Sequence, residues 1–114
     1  MERHCLVGRI RPDRLVEYRE RHAAVWPELL RALRDAGWRS YSLFLSDDGL
    51  LVGYIEAEDL DAAQRAVAAT EANQRWQREM SEFFVGIDGG DPDQNWRFLD
   101  EVFNLEDQLD ALED

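Results

Sequence analysis

Residues 46–49 read Ser-Asp-Asp-Gly, and a strand-like run lies on each side of them. Before the turn, Trp38 to Leu45 alternates through Tyr41, Leu43 and Leu45; after it, Leu50 to Glu56 is a second apolar run. Asp-Gly between two such runs is a strong signal for an antiparallel hairpin, because the tight turn needs backbone angles that glycine adopts without steric cost. The hairpin sits mid-chain, with a long stretch of helical periodicity on each flank. Two strands already paired at the centre, each leading to a helix, leave few ways to close a core.

The flanks complete the pattern. Residues 4–11 read as a first strand, ended by Pro12-Asp13, with Asp13 as an N-cap or first-turn acid. From Arg14 to Ala36, Leu15, Tyr18, His22, Val25, Leu29 and Leu33 recur every three or four residues and share one helical stripe. Pro27 cannot donate its backbone nitrogen and clashes with the preceding turn, so a kink or break falls near Val25-Trp26. Gly37 closes the helix. Beyond the hairpin, Asp59 opens a helical region carrying Leu60, Ala63, Ala66 and Val67. Thr70 caps a further helix, Glu71 to about Phe83, with Trp76 and Met80. Residues 86–97, with Gly-Gly and Asp-Pro, read as a loop, and Phe98 to Leu105 as a last strand. The order is βαββαβ, an α+β chain of ferredoxin-like type with helices on one face of an antiparallel sheet. The other face would be bare in a monomer, so two sheets facing each other, a dimeric α/β barrel, are expected.

A length of 114 residues fits one domain, placed at 1–105, with an acidic tail at 106–114; Leu105, Leu109 and Leu112 have the spacing of a short amphipathic helix. The formal charge of −12 argues against nucleic acid or an anionic membrane as partner, since both need a basic footprint. Cys5 is the one cysteine, so no internal disulfide forms and a reducing compartment is expected. It reads as a small core residue. No leader-like or membrane-spanning apolar run is visible, and the expected location is cytoplasmic.

Few residues offer chemistry. His22 is one of two histidines, and an imidazole titrates where neutral-pH proton transfer needs it. Tyr18, one turn earlier, shares its wall. The bland alternative is a core histidine satisfied by a backbone carbonyl. Tyr41 presents a hydroxyl on the second strand or simply packs on a helix. Trp26, Trp38, Trp76 and Trp96 offer flat apolar walls of the kind that stack on the C–H faces of a pyranose, although most tryptophans are structural. Arg75 either donates to hydroxyls or is a surface charge. Phosphate-binding loops, zinc-ligand spacing and calcium loops are absent.

The run Glu17-Tyr18-Arg19-Glu20-Arg21-His22 followed by Val25-Trp26-Pro27-Glu28-Leu29 resembles the L-rhamnose mutarotases. Ser40 to Leu45, Ala69-Thr70 with Asn73-Gln74-Arg75-Trp76, and Glu101-Val102-Phe103 resemble later motifs of that family in the same order. The resemblance implies a homodimer that interconverts the α and β anomers of L-rhamnose, an isomerase without metal or cofactor. It places the proton donor on His22 and substrate-binding residues on Tyr18, Tyr41, Trp76 and Gln77. At Gln77 the family carries a second tryptophan, so an amide here replaces a stacking plane. The alternatives are a mutarotase for another deoxy or neutral sugar, a non-catalytic small-ligand-binding domain, and an oxygenase of the same barrel architecture. The base partner is open among Tyr18, a water and a carboxylate.

Overall fold

In the computed structural model, residues 1–85 and 96–113 are described. Strand β1 (Glu2–Ile10) leads through a 3-10 turn at Pro12–Arg14 into α1 (Leu15–Ala23) and α2 (Pro27–Ala36). The hairpin follows as β2 (Arg39–Leu45) and β3 (Leu50–Ala57), then α3 (Leu60–Ala68), α4 (Glu71–Met80), β4 (Phe84–Val85), β5 (Arg97–Leu99) and α5 (Leu105–Leu112). Among the described residues no helix is long and apolar enough to cross a membrane.

Local chemistry sets the boundaries. The expected break before Pro27 is there: α1 ends at Ala23, and Pro27 occupies the first turn of α2. Gly37 ends α2 with φ +104, in the left-handed region where only glycine is unstrained. Asp59 and Thr70 accept from the amides of Ala62 and Asn73 and cap α3 and α4. Asp13 caps nothing and lies in the 3-10 turn. The start of α1 is held instead by Arg14, which pairs with Glu17 at 2.9 Å and Glu82 at 2.8 Å and lies over the Phe83 ring. At the hairpin, Gly49 has φ +97, and a Cβ there would come within 2.5 Å of the Ile10 carbonyl oxygen. That close approach lets Ile10 donate its amide to the Gly49 carbonyl at 2.8 Å, locking the turn onto the end of β1.

The sheet order is β2-β3-β1-β4, all antiparallel, with β5 also pairing β1. Alternation divides its two faces. Leu6 and Ile10 of β1 and Leu51 and Ile55 of β3 point toward the helices and are buried, with Ile10, Leu51 and Ile55 at 0% exposure. They meet Leu29 of α2, Trp76 and Met80 of α4, Leu60 and Ala63 of α3, and Phe83.

Two expectations need correction. The last strand is not Phe98–Leu105. The edge beside β1 is filled by two short pieces, β4 opposite Arg9 and Ile10, and β5 opposite Cys5, Leu6 and Val7. Val85 faces Arg9 and Arg97 faces Val7, so twelve chain steps cover what an unbroken strand covers in two, an insertion of ten residues. The expected loop at 86–97 therefore interrupts a strand; its residues 86–95 lie outside the described residues, and Arg97 already belongs to β5. After Leu99 the backbone leaves the ladder, because the Arg3 side chain takes Glu101 at 2.9 Å and Asp107 at 2.6 Å, and Asn104 becomes the N-cap of α5.

Candidate active site

The helical stripe of the first helices brings Tyr18 and His22 to the sheet. Tyr18 is buried at 4% exposure, its ring edge-on to Phe83 and Phe84. His22 stacks on it, with centroids 4.1 Å apart and planes 28° apart. Trp76, from α4, stands edge-on to His22 at 5.2 Å, and Trp26 stands edge-on to Trp76 at 5.1 Å. Each such aromatic pair contributes roughly 0.5–1.5 kcal/mol beyond the area it buries. The chain of rings therefore holds the imidazole in one place.

Tyr41 reaches the same region from β2, helped by a feature invisible in the residue pattern. The β2–β3 register shifts between Arg39 and Ser42, and Ser40 between them has φ 49, a left-handed non-glycine residue. This is a bulge, which bends a strand and re-aims its side chains. It puts Trp38 and Tyr41 on one side of the strand with their rings 4.9 Å apart. Trp38 is anchored by donating its indole N–H to the Ala63 carbonyl at 3.1 Å.

Between these walls and the helices runs a cleft of three adjoining lobes. The first, about 280 Å³, is lined by His22, Tyr41, Trp76 and a leucine-rich wall from α2 and β2. The second, about 190 Å³, shares Tyr41, Trp76, Leu29 and Leu33 with it and adds Asn73 and Gln77. The third, about 290 Å³, holds Tyr18 and the other side of His22. Tyr18, His22, Tyr41 and Trp76 are thus gathered, and Gln77 lies one lobe away from His22. Arg75 is not in the cleft. Its guanidinium pairs with Glu28 and stacks over Trp26 at 5.2 Å, which clamps α4 to α2. Trp96 packs beside Phe84, away from His22. Reading the sequence missed the bulge and missed Asn73 as a cleft residue, although Asn73 sits one turn before Gln77 and helical spacing points to it.

The proton chemistry follows from the environment. His22 Nδ1 lies 3.0 Å from the Tyr18 carbonyl oxygen, which only accepts, so Nδ1 carries the hydrogen and Nε2 is left with its lone pair in the neutral ring. Burial lowers the imidazole pKa below its usual 6.5, and the carbonyl contact offsets part of that drop. The resting group is therefore a neutral base at neutral pH. Burial pushes the Tyr41 hydroxyl up to about 12, while the residue as a whole is 37% exposed. Burial, with the neighbouring Tyr41 hydroxyl, raises Tyr18 further. Both phenols stay protonated, which removes Tyr18 as the base. Among the described residues no Asp or Glu lines any of the three lobes. Nor do three or more His, Cys, Asp or Glu side chains gather as metal ligands among those residues.

The model of the L-rhamnose mutarotase family matches residues 3–105. The chain belongs to the L-rhamnose mutarotase family. The L-rhamnose mutarotase of Pectobacterium atrosepticum is 36% identical over 107 residues, 93% of this chain and all of that protein. That of Bacillus subtilis is 38% identical over 82 residues, 71% of this chain and 78% of its own length. The crystal structure of an L-rhamnose mutarotase from Formosa agariphila superposes with a TM-score of 0.71 at 27% identity, covering 92% of this chain and 99% of that one. An antibiotic biosynthesis monooxygenase shares the fold alone, with a TM-score of 0.59 at 21% identity over 90% of this chain and all of that one. The family match stops at Leu105, so nearly all of α5 lies beyond it.

Proposed function

We propose that this chain interconverts the α and β anomers of L-rhamnose by acid–base catalysed ring opening and closure. The observation that carries the reading is His22. Among the described residues it is the one imidazole lining the three lobes, and a backbone carbonyl fixes its tautomer.

In the reaction, neutral His22 takes the proton of the anomeric hydroxyl through Nε2. The C1–O5 bond breaks as the ring oxygen gains a proton, leaving an open aldehyde. Both oxygens are bonded to C1, so the imidazolium that forms is placed to return its proton to the ring oxygen. Rotation about the C1–C2 bond and the reverse steps close the ring on the other face. The protonated Tyr18 and Tyr41 hydroxyls donate hydrogen bonds, and Trp76 supports the apolar face of the ring. A positioned acid–base group of this kind contributes roughly 10²–10⁴-fold, and holding the sugar against it adds to that.

The protein acts as a homodimer through the sheet face turned away from the helices, where Phe44 stands 62% exposed and Leu99 45%. The test is NMR exchange spectroscopy between the two anomers of L-rhamnose. Added protein is expected to speed exchange well beyond buffer, and exchange at the buffer rate would reject this activity. A 6-deoxy or neutral sugar panel run in parallel identifies a different substrate if L-rhamnose fails.

A further inference from the structure

The first lobe, on the Tyr41–Trp76 side of His22, has few polar groups for a hexose. Its walls are Trp76 and aliphatic side chains apart from His22 and the Tyr41 hydroxyl. A pyranose with its C1–O5 edge at His22 still has hydroxyls on the opposite edge, at C3 and C4, and those need partners. Beyond the shared Tyr41–Trp76 wall, the second lobe supplies them. There Gln64 of α3 and Asn73 and Gln77 of α4 bring three amides between the indoles of Trp38 and Trp76. Among the described residues no charged one lines that lobe, which suits a neutral hydroxylated ligand.

Two of the amides are already arranged as a unit. Gln77 Nε2 donates to Asn73 Oδ1 at 3.4 Å, one helical turn away. That contact uses the Gln77 donor and the Asn73 acceptor. It leaves the Gln77 carbonyl oxygen as acceptor and the Asn73 NH₂ as donor, side by side. Such a pair matches two adjacent hydroxyls, one giving a hydrogen bond and the other receiving one. Asn73 is half-buried, and its backbone amide is held by the Thr70 cap, so its side chain starts from a fixed root.

We propose that Asn73 and Gln77 form a subsite that reads the vicinal C3–C4 diol of the sugar whose anomeric carbon lies at His22. This rests on the mutarotase reading and names the residues that set its specificity. The leucine wall of the first lobe then receives the C6 methyl, which is attached to C5, between the two edges.

The test uses calorimetric titration with two sugars, L-rhamnose and its C4 epimer 6-deoxy-L-talose, on wild type, Gln77→Leu and Asn73→Leu. Gln77 is exposed, so its variant folds whether or not the Asn73 variant does. Wild type is expected to prefer L-rhamnose. Each variant is expected to bind L-rhamnose several-fold to about tenfold more weakly, as for a lost neutral hydrogen bond, and to bring the two sugars within about twofold of each other. Unchanged affinity, an unchanged preference between the epimers or no binding of L-rhamnose to wild type overturns the subsite. Anomer exchange measured on the same samples separates the two claims. Wild-type acceleration with binding insensitive to both variants leaves the activity and removes the subsite. Amide-dependent binding without acceleration leaves the subsite and removes the activity.

Discussion

On the helix-covered face of the sheet, Ile10, Leu51 and Ile55 have no exposed surface, and the rings of Tyr18, His22 and Trp76 are stacked into a fixed chain above them. On the opposite face Phe44 is 62% exposed and Leu50 37%. One sheet therefore has a finished side and an unfinished one. The proposed proton transfer uses the finished side, where His22, Tyr41 and Trp76 line one lobe. On that reading, a second copy covering the other side would add stability and leave the proton-transfer geometry as it is.

Three substitutions press on that contrast. His22→Ala is expected to remove most of the acceleration, on the order of 10²–10⁴-fold, with the circular dichroism spectrum and the oligomeric state unchanged. Its half-buried ring leaves only a small gap, and loss of the fold on this change would make His22 a structural residue. The wild-type pH profile belongs to the same experiment. The proposed active form is the neutral ring, and burial lowers its pKa, so the acid limb of the exchange rate is expected to bend below pH 6.5. The same shift links to stability. Between the lowered folded value and about 6.5 the unfolded chain holds more protons, so stability falls as pH drops through that window. His22→Ala is expected to flatten that slope.

Phe83→Ala comes next, since Phe83 is fully buried beneath Tyr18 and Arg14. A loss of roughly 3–5 kcal/mol is expected in urea unfolding, and activity falls with it because Tyr18 loses its support. Stability within about 1 kcal/mol of wild type would show that the finished side is less tightly built than described. The smallest effect is expected from Phe44→Ser. Light scattering should show a shift from dimer toward monomer, while exchange per subunit stays near wild type and the unfolding of the monomer moves by no more than about 0.5 kcal/mol. A strong loss of exchange in the monomer would mean that the unfinished side takes part in the chemistry.

Much of the finished side could be read directly from residue order. Tyr18, His22, Val25, Leu29 and Leu33 advertise one helical stripe, Pro27 marks the break, and Asp48-Gly49 marks the hairpin, because each acts through its near neighbours. What escaped the reading depends on partners far along the chain. The bulge at Ser40 is a single backbone inversion, and serine carries no signal for it. The edge strand is split into pieces of two and three residues, shorter than any alternation can reveal, and both are recruited by β1 about eighty residues earlier. The neutral resting state of His22 and the protonated phenols come from burial, which exists only once α1, α4 and the sheet have met. The side chain at Arg75 reads equally well as a ligand contact or a surface charge, and only the placement of Glu28 and Trp26 decides it.

The insertion between β4 and β5 has a consequence for how this chain can change. Ten is an even number, and side chains alternate along a strand with a period of two. Removing residues 86–95 would set Trp96 opposite Gly8 and leave Arg97 opposite Val7, with every neighbour on the face it already occupies. The edge of the sheet therefore works as a seam. Sequence can be let in or taken out there while Val85 and Arg97 keep their partners on β1, and the cleft and the histidine in it stay where they are.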